Sequence, residues 1–349
     1  MTKIPVGVLG ATGAVGQRFV QLLEGHPWFE ITDVAASDRS AGKPYREACT
    51  WRLASAPPAA VAGLTVKTVE GPFAAKLLFS GLDSSVAGEV ETALARKGHA
   101  VVSNSRNHRM DADVPLLIPE INPEHLAAVE LQKKKTGGGY IVTNPNCSVI
   151  GLAMVLAPLH KAIGLESVAV VTLQALSGAG YPGVASLDVA DNVMPFIGGG
   201  EEEKIEAEPL KILGGFEAGA FVPASLKVSA SVHRVAVSDG HTMAAFLRFT
   251  KKTSTDEARR LLADFRGEPQ ALRLPFAPER PIHVLDESDR PQPRLDRDRE
   301  RGMAVSVGRV REDGPFGLKL EALVHNTIRG AAGTAILNGE LLKERGLLP

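Results

Sequence analysis

The chain has 349 residues, 44% of them hydrophobic and 23% charged, so it can bury an ordinary core and is long enough for two domains rather than one. Its 39 basic and 40 acidic residues leave a net charge of −1, which excludes the basic field that draws a protein onto nucleic acid or anionic membrane. Its two cysteines, Cys49 and Cys147, make neither a disulfide framework nor a metal knuckle, no apolar run is long enough to span a bilayer, and the segment after Met1 reads as a strand rather than a signal peptide, so the expectation is a cytoplasmic protein without a metal site.

The first 146 residues alternate short apolar runs with helical patterns, the pattern of a parallel α/β sheet. Val6 to Leu9 reads as a buried strand, and Gly13 to Glu24 as a helix with Val15, Phe19, Leu22 and Leu23 on one face. Further strands are expected at Ile31–Ala36, Leu77–Phe79, Ala100–Val102 and Tyr140–Val142, with a helix carrying Val86, Val90 and Leu94 that stops at Gly98. Beyond residue 147, strand-like runs at Val168–Leu173, Lys227–Ser231, Met243–Phe249, Val305–Val310 and Leu318–Val324 have fewer helices between them and predict a mixed sheet. Asp286 to Arg301 carries six acidic and five basic residues and reads as a solvated loop, and Ala331–Arg345 returns to a helical pattern.

Two local devices carry chemistry. Gly10-Ala11-Thr12-Gly13-Ala14-Val15-Gly16 lies between the first strand and its helix. A pyrophosphate needs a tight turn, close backbone approach and free amides at a helix N-terminus, and this loop offers all three, although its spacing is G-x-x-G-x-x-G rather than G-x-G-x-x-G. The candidate cofactor residues are Gly10, Thr12, Gly13, Ala14 and Val15, with Ser80 and Gly81 after the third strand. At the end of the second strand Asp38 would grip a ribose hydroxyl and Arg39 would accommodate a 2′-phosphate; Arg39, with Ser37 and Ser40 as further donors, predicts NADP. The second device is Asn144-Pro145-Asn146-Cys147-Ser148. It places Cys147 at the start of a helix, where the dipole favours thiolate, whereas Cys49 reads as a structural cysteine. A thiol beside a dinucleotide suggests a covalent thioester that gives or receives hydride.

The segments GATGAVGQRFVQLL, NHRMDADVPLLIPEIN, NPNCS, QALSGAGYPG, GGGEEEKIEAE, HRVAVSDGHT and HNTIRGAAGT run in one order from residue 10 to residue 334. With them the chain resembles the aspartate-β-semialdehyde dehydrogenase family, closest to its archaeal and fungal type. The resemblance implies a Rossmann-type dinucleotide-binding domain at 1–146 and 330–349, and an α+β catalytic and dimerisation domain with a mixed sheet at 147–329. It implies reversible NADPH-dependent reduction of L-aspartyl-4-phosphate to L-aspartate 4-semialdehyde with release of phosphate, on the route to lysine, threonine and methionine. Cys147 would form the thioester, His241 would be the general acid/base, and Gln174 would orient the acyl group. Arg234 and Glu201 would hold the substrate carboxylate and ammonium, Arg109 and Lys204 the phosphate, and Asn146 would complete the substrate site. Ser177, Gly178 and Asn326 would lie by the nicotinamide. The partners implied are the small-molecule substrate and a second copy in a homodimer or homotetramer, with no nucleic acid and no membrane. The chain departs from the family at Val149, where threonine is commoner, and at His325, where some branches carry an acid.

Two other readings share part of this pattern. An acyl-CoA reductase, such as one acting on malonyl-CoA, would use Cys147 in the same way but give Glu201 no substrate charge to pair with. A non-catalytic NADP sensor would have no use for Cys147, His241, Gln174 and Arg234 together.

Overall fold

The computed structural model describes residues 2–349. Five parallel strands, β1 (Ile4–Leu9), β2 (Phe29–Ala35), β3 (Leu77–Ser80), β4 (Ala100–Ser103) and β5 (Tyr140–Thr143), form the first sheet in the order β2-β1-β3-β4-β5. Every residue of β3, β4 and β5 is buried, because helices cover both faces of a parallel sheet and leave no polar side. Beyond β2 the chain adds one extended residue, Lys67, whose amide donates to Val34 O at 2.8 Å and whose carbonyl accepts from Ala36 N at 3.0 Å. The strand order therefore reverses between β1 and β3, and the crevice at their C-terminal ends is where such sheets take ligands.

The helices of this layer follow the sequence pattern, with the Ala14–Leu22 helix after β1 and the Ser84–Arg96 helix capped by Asp83, which accepts from Ser85 N at 2.9 Å. The chain returns to the same sheet at its end. The Gly333–Glu344 helix buries ten consecutive residues, Gly333 to Leu342, and packs on β3, β4 and the Ala14–Leu22 helix. Cys49 is buried in this core, as expected for a structural cysteine.

The second sheet is mixed. It contains β6 (Leu165–Gln174), β7 (Met194–Pro195), β10 (Lys227–Arg234), β11 (His241–Phe249), β12 (Ile282–Val284), β13 (Val305–Asp313) and β14 (Gly317–Val324) in the order β12-β13-β14-β11-β6-β10-β7. Two short strands, β8 (Gly215–Glu217) and β9 (Ala220–Val222), pair as a separate hairpin. The Cys147–Ile163 helix lies on one face of the mixed sheet, with thirteen of its seventeen residues buried. Val171 and Leu173, which point to the other face of β6, stay exposed.

Strand β10 is covered by the two-residue edge strand β7 only at His233 and Arg234, and side chains protect it where β7 does not reach. Glu206 accepts from Ala230 N at 3.0 Å and Glu202 from Val232 N at 3.1 Å, so two carboxylates four residues apart on the Glu201–Ile212 helix satisfy amides that would otherwise be open. The segment 286–301 differs from the solvated loop expected of it. Asp296 is buried and accepts from Arg290 Nε at 2.7 Å and Arg299 Nε at 3.1 Å, while Arg297 donates to Asp239 O at 3.0 Å. Its mixed charge pairs internally, and that pairing is what lets the segment pack.

Candidate active site

The glycine loop forms a cradle. Gly10, with φ +70°, packs against Gly81, and a Cβ at Gly16 would lie 2.1 Å from the Gly10 carbonyl oxygen, so only a bare backbone closes this turn. The Ala14–Leu22 helix begins at Gly13 without any side-chain cap, which leaves its first amides free for an anion. Thr12, Gly13 and Ala14 border a cavity of about 490 Å³, and Ala14 and Val15 border an adjoining cleft of about 340 Å³ that contains Cys147. Ser37, Arg39 and Ser40 stand in the turn after β2, where Arg39 is exposed and free of ion pairs among the described residues. Ser80 is placed otherwise. Its hydroxyl is fully buried and donates to Glu91 at 2.6 Å, so only its backbone neighbour Gly81 reaches the loop.

The catalytic candidates come from distant segments and meet at one edge of the mixed sheet. Gln174 ends β6, and Arg234, its register partner, ends the parallel β10. His241 begins the antiparallel β11 opposite Val324, so Asn326, two residues on, lands beside it. Asn326 accepts from Gly240 N at 2.9 Å and donates to Ser177 at 2.8 Å. Gly178 follows in the same turn and lines the cleft. Arg234 donates to Ala175 O at 2.7 Å.

Cys147 opens the helix that packs on this sheet. Its N-cap is Asn146, whose side-chain oxygen accepts from Ser148 N at 2.9 Å. The sulfur lies 3.2 Å from His241 Nε2. Ala175 N donates to His241 Nδ1 at 3.0 Å, so the neutral ring carries its proton on Nε2, aimed at the sulfur. Burial, then the Arg234 and His325 charges, push the imidazole down to about 3. The thiol is pushed up to about 12, chiefly by burial and then by the Glu201 carboxylate, against the pull of Arg109 and Arg234. Burial and the Glu201 carboxylate thus oppose the thiolate that the helix N-terminus favours, beside an imidazole that burial keeps neutral. Because the thiolate fraction rises with pH below the pKa, the rate at which iodoacetamide alkylates Cys147 should climb about tenfold per pH unit across the neutral and mildly alkaline range. A plateau centred below roughly pH 8 would show instead a preformed thiolate–imidazolium pair.

The Glu201–Ile212 helix supplies the charged wall. Glu201 accepts from Asn146 Nδ2 at 2.9 Å and from Lys204 Nζ at 2.7 Å, so neither is the free surface charge that a Glu-Glu-Glu-Lys helix start suggests. Two residues the sequence reading did not single out continue the stripe. Glu208, 2% exposed, pairs with Arg109 at 2.9 Å, and Lys211 donates to the carbonyls of Arg109, Asp111 and Val114, each at 2.8 Å. The signal was present as a repeat: Glu201 and Lys204 recur as Glu208 and Lys211 seven residues later, on the same helix face.

Comparison with known proteins bears on this geometry. Residues 5–129 match the family model described as semialdehyde dehydrogenase, NAD binding domain, and residues 156–329 match semialdehyde dehydrogenase, dimerisation domain. An aspartate-semialdehyde dehydrogenase of Methanothermobacter thermautotrophicus is 52% identical over 98% of this chain and 99% of its own length. That of Schizosaccharomyces pombe is 46% identical over 98% of this chain and 99% of its own. Among solved structures, a Candida albicans aspartate semialdehyde dehydrogenase with NADP superposes with a TM-score of 0.92 at 44% identity, covering 99% of this chain and 100% of that one.

Proposed function

This chain belongs to the aspartate-semialdehyde dehydrogenase family, and from that premise we infer that it catalyses the reversible NADPH-dependent reduction of L-aspartyl-4-phosphate to L-aspartate 4-semialdehyde with release of phosphate, in amino-acid biosynthesis. The observation that carries this reading is the Cys147–His241 pair, 3.2 Å apart, in a cleft bordered by the dinucleotide cradle and walled by Arg109, Arg234 and Glu201.

NADPH, when bound, supplies the hydride. The residues that would hold it are Gly10 and Thr12 to Val15 at the pyrophosphate, Ser37, Arg39 and Ser40 at the 2′-phosphate, and Ser177, Gly178 and Asn326 by the nicotinamide. The bare cradle at Gly16 and the uncapped helix start support that fit.

Cys147 attacks the acyl carbonyl, the carbon–oxygen bond to phosphate breaks, a thioester forms on the sulfur, and the thiol proton leaves with the phosphate. Arg109 and Lys204 steady the leaving phosphate, the first with a guanidinium fork and the second as a point charge. Gln174 orients the acyl group. Arg234 meets the α-carboxylate and Glu201 the ammonium; a carboxylate has about four lone-pair sites, so Glu201 can keep Asn146 and Lys204 and still accept from substrate. The His241 Nε2–H, 3.2 Å from the sulfur, stabilises the negative charge that develops there as the sulfur attacks and as it departs after reduction.

The nucleotide domain comprises 1–146 and 330–349 and the catalytic domain 147–329. The chain is a homodimer through that second domain, consistent with the dimerisation-domain match and the exposed Val171 and Leu173. A dimer of dimers and a cytoplasmic location complete the proposal. No helix among the described residues is long and apolar enough to cross a membrane.

The test is phosphate- or arsenate-dependent reduction of NADP with aspartate semialdehyde, run beside CoA-dependent oxidation of malonate semialdehyde. Activity in the first assay alone is the expected result. Activity confined to the second would identify an acyl-CoA reductase, and activity in neither a sensor. Cofactor choice has its own test. Arg39→Ala should raise the KM for NADPH about ten- to hundredfold, the loss of one charge-assisted contact, while leaving that for NADH nearly unchanged. Equal changes for both would reduce Arg39 to a surface charge.

A further inference from the structure

We propose that Glu208 is a positioning residue that sets the phosphate-binding Arg109 against the backbone that carries the nucleophile; this rests on the function inferred above. Its two carboxylate oxygens are divided between the two parts of the site. Oε1 accepts from Arg109 Nη1 at 2.9 Å and Oε2 accepts from the Asn146 backbone amide at 2.6 Å. Asn146 is the N-cap of the helix that begins at Cys147, so the second bond fixes the turn immediately before the sulfur. One buried side chain thus spans leaving-group site and nucleophile.

The remaining contacts of Arg109 agree with a held guanidinium. Nη2 donates to Asn104 O at 2.8 Å, Nε is buried without a partner, and the residue, 8% exposed, lines the Cys147 cleft. A cation with one buried N–H still unpaired has capacity for an anion beyond Glu208. Lys211 holds the backbone of the same stretch, with three ammonium protons for the carbonyls of Arg109, Asp111 and Val114. Side chain and backbone of Arg109 are therefore both set by one helix face, 208 and 211, two turns beyond the Glu201 and Lys204 that border the substrate.

The chemistry makes this placement matter for one substrate in particular. In the direction of acyl phosphate formation, phosphate must attack the Cys147 thioester, so its position relative to the sulfur decides the rate. An error of about an ångström in such placement is costly. The function inferred above places neither the aldehyde nor the dinucleotide on Arg109.

The experiment is steady-state kinetics of Glu208→Gln in the phosphate-dependent direction, with wild type as control. A glutamine has one acceptor oxygen for two donors, so either Arg109 or Asn146 N faces an amide N–H₂. The expected result is a rise in the KM for phosphate of about ten- to hundredfold. The KM values for aspartate semialdehyde and NADP should stay within about twofold, because neither ligand rests on Arg109. Since Glu208 reaches the phosphate through Arg109, adding Glu208→Gln to Arg109→Lys should raise the phosphate KM no further, and any added loss should fall on kcat through the Asn146 bond. Glu208→Asp, which keeps the charge but is too short to span both donors, should show the same selective phosphate defect and serves if the glutamine variant does not fold. An unchanged phosphate KM, a parallel rise for all three substrates, or additive effects on the phosphate KM in the double variant would overturn the proposal. A wild type without phosphate-dependent activity would instead overturn the functional reading beneath it.

Discussion

Cys147→Ala should lower turnover by roughly 10⁴-fold or more, as removal of a covalent nucleophile does in other enzymes, while NADP binding is retained. The two halves of that expectation rest on separate structures. The sulfur sits at the start of the Cys147–Ile163 helix, 3.2 Å from His241, whereas the dinucleotide cradle is closed by Gly10, Gly16 and Gly81 beyond the ends of β1 and β3. Alanine preserves the helix start, because the N-cap is Asn146 and its bond to Ser148 N, 2.9 Å, does not involve the thiol. Cys147→Ser should retain only a trace of activity. His241 carries its proton on Nε2 and is held near 3 by burial, so it does not supply a base strong enough to activate a hydroxyl. Steady-state rates together with NADP titration check both variants, and wild-type turnover by the alanine form would exclude a thioester.

The largest effect on stability should come from Arg329. Its side chain and that of Glu120 are both fully buried, and they face one another with two N–H···O bonds of 2.8 Å. Nη2 also lies 3.0 Å from the Met154 sulfur, so the pair ties the segment before the C-terminal helix to the Cys147–Ile163 helix. Arg329→Met leaves the Glu120 carboxylate buried without its cation and should cost about 3–5 kcal/mol. Combining it with Glu120→Leu removes the stranded charge and should recover most of that loss, since replacing a whole buried pair by apolar groups is close to neutral. Denaturant unfolding of both variants decides it; a loss below about 1 kcal/mol for Arg329→Met alone would show that Glu120 finds water or another donor.

The parallel sheet, the glycine loop and the cysteine at a helix start were legible in the sequence because each is contiguous. A run of apolar residues, a G-x-x-G-x-x-G spacing and an Asn-Cys-Ser turn state their own local conformation. The short strands β7, β8, β9 and β12 were not, since two or three residues carry no periodicity. Resemblance to a family named His241, Gln174, Arg234 and Asn326, but nothing local marks them as neighbours. They meet because β6 and β10 run parallel and β11 and β14 antiparallel to one another, which brings two strand ends, one strand start and one following loop to a single edge.

By itself, then, the sequence determined where a phosphate can be cradled and where a thiol can stand at a helix start, because turn sterics and unpaired amides depend on neighbouring residues only. The tertiary structure decided the charge states and the partners. Helix position favours a thiolate at Cys147, whereas burial and Glu201 push the thiol pKa up, a balance set by what packs around it. Glu201 and Lys204 look like a solvated helix start, and Glu208 and Lys211 like its continuation, until the helix docks and buries the last two against Arg109 and its loop. Desolvation and pairing are sums over neighbours distant in the chain, so no local pattern contains them.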